Sequence, residues 1–168
     1  MRQVIGSTWI FQLVIIFTLI FAAYIALTIN YSKSFKVKNE VLSIVEKSQG
    51  FTTNGVKLVN NYLTQSGYKT VGKCPSQSGA VVYGVKSLDT SVSNSTVEIA
   101  KDNEEYYYCF SKFGNYHSYF TTRAYYRINL FFQFDLPFLG RLSTFNVDGQ
   151  TTEIDATFDS DELNNWNH

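Results

Sequence analysis

The stretch INYSKSFKVKNEVLSIVEKSQG, residues 29–50, decides how the rest of the chain folds. It follows directly on an uncharged apolar run, and before Gly50 it contains neither Gly nor Pro. A chain leaving a membrane usually meets a turn or a loose linker. Here the apolar residues keep a helical rhythm for about five more turns. Val37, Val41, Ile44 and Val45 fall near one face at i, i+4, i+7, i+8 spacing, and Phe35 and Leu42 form an adjoining stripe. Lys36, Lys38, Glu40, Glu46 and Lys47 take most of the remaining surface. This helix is expected to end near SQG, with Gly50 as its left-handed cap.

Upstream, residues 10–29 read IFQLVIIFTLIFAAYIALTI. A helix of about 20 uncharged residues is about 30 Å long, the thickness of a bilayer's hydrocarbon core. A secretory signal peptide is the competing reading, with FAAYIA as a poor cleavage site. Orientation is contested within the sequence. Lys33, Lys36 and Lys38 on the C-terminal flank favour a cytoplasmic body by the positive-inside rule. Cys74 and Cys109, the only cysteines, favour the outside if they are paired, because disulfides persist in oxidising compartments. Two unrelated buried thiols are the other reading of that pair. The expectation adopted is an extracytoplasmic head.

Downstream, a second, short helix is expected, capped by Thr53 or Asn54. Val56, Val59 and Leu63 form its apolar face, and Gly67 ends it. Strands follow, over residues 80–88, 97–100 and 106–110. The clearest strand is YRINLFFQFDL, residues 126–136. Tyr126, Ile128, Leu130, Phe132, Phe134 and Leu136 point one way, while Arg127, Asn129, Gln133 and Asp135 point the other; Phe131 breaks the alternation. STFNVDGQTTEI then reads as two short strands about an Asp148-Gly149 hairpin turn.

The fold class is therefore α+β: a long N-terminal transmembrane helix continuing into an amphipathic half, a short second helix, and an antiparallel sheet as the head. The expected boundaries are a short leader or flank over 1–9, the membrane segment over 10–30 and its amphipathic extension over 31–50. The head covers 51–158, and 159–168 is a polar tail. The exposed half of the first helix is the natural cover for the apolar face of the sheet.

Composition narrows the function. The 14 lysines and arginines balance 14 aspartates and glutamates, and no basic stripe stands out, so no nucleic-acid partner is expected. His117 and His168 are the only histidines, and there is no HExxH, CxxC, GxSxG or phosphate-cradling glycine loop. The acidic clusters Asp102, Glu104, Glu105 and Asp159, Asp161, Glu162 lack the glycine and ligand spacing of a calcium loop. No enzyme activity, metal or cofactor is expected.

A polar leader ending in VIG, the long apolar helix with its amphipathic continuation, and a C-terminal sheet with one cysteine pair together resemble type IV pilin-like proteins. The nearer resemblance is to the TadE-like minor pilins of tight-adherence systems. It implies cleavage after Gly6, with Ser7 as the new N-terminus, and lateral packing of the apolar helices. The implied partners are the lipid bilayer and other pilin-like subunits or membrane assembly proteins. Such families carry a glutamate five residues into the mature chain; here that position is Phe11, beside Gln12. Two other readings remain. One is a membrane-anchored binding module on a helical stalk, gripping a partner or glycan through Tyr107, Tyr116 and Tyr119. The other is an accessory subunit of an integral membrane complex with its body inside the cell.

Overall fold

In this computed structural model, residues 2–89, 96–115, 123–136 and 140–155 are described. Helix α1 runs unbroken over Arg2–Lys47, about 69 Å at 1.5 Å per residue. Its closing turn is a Schellman motif: the Gly50 amide donates to the Val45 carbonyl (2.9 Å) and the Gln49 amide to that of Glu46 (3.2 Å). The left-handed residue is Gln49, at φ 57°, one position before the expected Gly50, which itself sits at φ 124°. Helix α2, Thr53–Gln65, is capped by Thr52, whose hydroxyl accepts from the Gly55 amide at 3.1 Å. That cap stands one residue ahead of Thr53 and two ahead of Asn54, the caps expected. Gly67, at φ 73°, closes α2 by the same motif as α1.

The head is an antiparallel sheet of β1 (Val82–Val85), β2 (Val97–Ile99), β3 (Tyr108–Asn115), β4 (Arg123–Leu136), β5 (Gly140–Gln150) and β6 (Ile154–Asp155). The order across it is β2-β1-β3-β4-β5, and β6 continues along the β5 side of β4. Asp148 and Gly149 are not a hairpin turn. They lie inside β5, opposite Asn129 and Ile128 of β4. What Gly149 provides is room: a Cβ there would stand 2.9 Å from the Leu42 side chain, so α1 crosses β5 where no side chain intervenes.

The two faces of the sheet are covered differently. On one, Val37, Val41 and Val45 of α1 and Val56, Val59 and Leu63 of α2 bury Val85, Tyr108, Phe110, Tyr126, Ile128 and Leu130. On the other, residues 69–81 cross the sheet as a strap. The strap pairs through Gly72 with Tyr106 and covers Phe131. Phe131 broke the alternation of β4 because this second face has a small apolar cluster of its own.

Candidate functional site

The first feature with functional content is the bare part of α1. From Thr8 to Ala22 every residue is exposed, and the apolar window of the helix has nothing of the head packed on it. Trp9, Phe11, Phe17 and Ile20 each expose more than half their surface. This helix is long and apolar enough to cross a membrane. Gly6 and Ser7 lie within α1; their side chains are outside the described residues.

The second feature is the junction of that helix with the head. Val41 and Val45 are wholly buried and Val37 nearly so, while Leu42 and Ile44 are half-buried against the same core. Phe35 is not part of that core. Its ring packs on Tyr31 at 4.6 Å between centroids, and the Lys38 ammonium lies 4.6 Å over it. Phe51, immediately after the closing turn, is the centre of the aromatic packing: it stacks on Phe110 at 4.0 Å and meets Tyr126 edge-on at 5.5 Å. The expected boundary between 50 and 51 therefore passes through the hydrophobic core. Sequence reading missed Phe51 because an isolated aromatic beside a Gly carries no periodicity. Glu46 adds a polar clamp, its carboxylate accepting from the amide (2.8 Å) and hydroxyl (3.1 Å) of Thr152.

Two buried polar groups tie the layers together. The Asn60 amide donates to the Ser87 and Asp89 carbonyls (3.3 and 3.2 Å), and its oxygen accepts from the Tyr108 hydroxyl (2.9 Å). The Tyr68 hydroxyl accepts from the Phe131 amide (2.7 Å) and donates to the Tyr107 carbonyl (2.8 Å). It stands where β3 and β4 part company and supplies the link that the ladder no longer makes. Burial pushes both phenols well above their usual range.

On the strap face, Cys74 and Cys109 form a disulfide, with Cα atoms 5.7 Å apart. Beside it the Tyr106 ring lies against Gly84, and its hydroxyl donates to Glu98 at 2.8 Å. Lys86 sits between Glu98 (2.8 Å) and Glu104, joining β1, β2 and the loop before β3. The Lys86 ammonium holds the Glu104 carboxyl down to about 2, and the two carboxylates in turn raise Lys86. Burial, with Glu98 beside it, pushes Tyr106 up to about 12. These groups converge on one another as an ion-pair clip across strand ends. Of the aromatics named from the sequence, Tyr107 is half-buried, while Tyr116 and Tyr119 lie outside the described residues, as do both histidines and the 159–168 tail. Next to the strap, Phe113 stacks on Tyr125 at 5.1 Å with the Arg127 guanidinium 5.4 Å over its ring. Comparison with protein-family models, with characterised proteins and with solved structures finds no match for this chain.

Proposed function

We propose that this chain is a single-pass membrane subunit that is pilin-like in build and works by packing rather than by catalysis. In this reading it is a minor-pilin or pseudopilin component of a surface filament, secretion or DNA-transfer apparatus, and its head stands outside the cytoplasm. One observation carries the reading: α1 is bare where it is most apolar and embedded in the head where it is amphipathic, with no hinge between. A stalk that only spaces a domain from a membrane has no need to surrender one face of itself to the core. A rigid helix–head unit transmits the orientation of its neighbours in the bilayer directly to the head, which is what a packed assembly requires. The disulfide fits an oxidising compartment, and it outweighs the lysines at 33, 36 and 38, whose flank bias is small.

The test is made on the full chain in its native membranes. The mature protein is expected to begin at Ser7 by mass, Gly6→Val to retain the leader, and single cysteines at Ile16 or Phe17 to cross-link to a neighbouring subunit. An uncleaved chain whose cysteines form no cross-links in the bilayer rules the pilin-like reading out. The stack of Phe113 and Tyr125 beneath Arg127 favours a second reading, an anchored binding module that grips its partner on the strap face. That reading expects Phe113→Ala to abolish partner capture while the membrane cross-links stay absent.

A further inference from the structure

At the level where α1 leaves the uncharged run, a cleft of about 210 Å³ opens between α1, the end of α2 and β4. Its polar lining includes Asn30, Lys33, Ser34, Lys69, Thr70 and Gln133, and among the described residues no carboxylate lines it. Neither Lys33 nor Lys69 has a carboxylate partner among the described residues. Lys86, by contrast, sits between Glu98 and Glu104. Two lysines from different elements that line one polar cleft, with no carboxylate beside them among the described residues, call for an anion.

Height along the helix selects which anion. Lys33 stands four residues beyond Ile29, the last residue of the apolar run, so it lies about 6 Å further along the axis. The headgroup layer extends roughly 5–8 Å beyond the hydrocarbon core on each side, so the cleft sits at phosphate level when α1 spans the bilayer. Val37 and Phe132 give it an apolar wall. One feature opposes an anion, the C-terminal end of α2, whose partial negative charge points here. That end is closed: the Tyr68 and Gly67 amides donate to the carbonyls of Leu63 and Thr64, and the Ser66 hydroxyl donates to that of Leu63. Two full positive charges outweigh what remains of about half a negative one.

We propose that this cleft binds the phosphate of an anionic phospholipid in the leaflet from which the head emerges, held by Lys33 and Lys69. This site rests on α1 spanning the bilayer and on no other part of the pilin-like reading. A bound headgroup would fix the depth of α1 and the tilt of the head above the membrane.

The test uses the full-length protein in phosphatidylcholine vesicles carrying a trace of spin-labelled phosphatidylglycerol or, separately, of spin-labelled phosphatidylcholine. The protein is expected to immobilise phosphatidylglycerol in preference. Lys33→Gln or Lys69→Gln each lowers that preference about fivefold. Lys36→Gln, one turn along α1 but outside the cleft, leaves it intact. Equal immobilisation of both lipids overturns the proposal, and so does a Lys36→Gln effect as large as that of Lys33→Gln, which would mark general surface attraction. Displacement of the labelled lipid by millimolar inorganic phosphate overturns the lipid as ligand and assigns the cleft to a soluble anion. Alkaline extraction of the same vesicles separates the two levels of the argument. A protein stripped from them removes the membrane reading and the lipid site together, whereas a retained protein without lipid preference removes the lipid site alone.

Discussion

The two faces of the sheet are held by different physics. The helix-covered face is a continuous apolar core in which α1, α2, Phe51 and five strands bury one another. The strap face has a much smaller cluster, Tyr106, Cys109 and Phe131, and is closed by one covalent bond and an ion-pair clip. A strap without secondary structure cannot bury enough surface to offset its own ordering, so a cross-link that shortens the unfolded chain takes over. The contrast teaches where the chain can be cut. Loosening the strap is expected to leave a folded head, whereas removing α1 is expected to unfold it.

Replacing Val41 by Asp breaks the comparison at its stronger side. A carboxylate at a wholly buried position with no partner is expected to destabilise the head on the order of 5 kcal/mol. Urea unfolding of the full chain in detergent, followed by aromatic fluorescence, should lose its cooperative transition. Phe17→Asp, on the bare half of the same helix, should leave that transition where it was. Equal effects of the two would mean that the halves of α1 are not distinct.

The strap face comes next. Cys74→Ser with Cys109→Ser reopens a loop of 35 residues and is expected to cost about 3–4 kcal/mol in the chain-entropy account. The α1-side aromatic packing should survive, read as retained near-ultraviolet dichroism below the shifted midpoint. Complete loss of that signal in the absence of denaturant would show that the two faces fold as one.

Asn60→Ala is a sharper probe of the helix face, because it removes the polar tie between α2 and the sheet. It orphans the buried Tyr108 hydroxyl and is expected to cost about 2 kcal/mol. Adding Tyr108→Phe should restore part of the loss, measured by the same unfolding midpoint.

The smallest effect belongs to the Lys86 clip, which is exposed and screened by salt. Because Glu104 is held below its ordinary value, its contribution is fully present above about pH 4.5 and disappears as the pH falls through about 2. Lys86 works in the opposite sense: its contribution is present below its ordinary value of 10.5 and is lost as the pH rises beyond it. Glu104→Gln should therefore narrow the stability gap between pH 6 and pH 2, and added salt should narrow it further. A gap that persists unchanged in the variant would remove Glu104 from the account.

Much of this architecture was legible in the chain, and the reason is periodicity. The uncharged run over 10–29, the valine stripe at 37, 41 and 45, the apolar face of α2 and the alternation of β4 are each repeated many times along one element, so no partner need be known to read them. The features that escaped are those in which one residue answers to something distant in sequence. Gly149 carries the signature of a turn, yet it sits in a strand because α1 crosses there, more than a hundred residues away. Phe131 broke a pattern because the strap lies over it, and Phe51 looked like a boundary because nothing beside it repeats. The Tyr68 hydroxyl and the Lys33–Lys69 cleft exist only once two helices and a strand are brought together.

The sequence by itself thus determined that a long apolar helix runs without a break into an amphipathic one, and that an α+β body with one cysteine pair follows. Only the tertiary structure decided that the cysteines are joined, that Phe51 sits at the centre of the core and not at its edge, and that a glycine marks a crossing instead of a turn. Local patterns record how each element meets an apolar or a polar environment; which element supplies that environment is settled only by packing at long range.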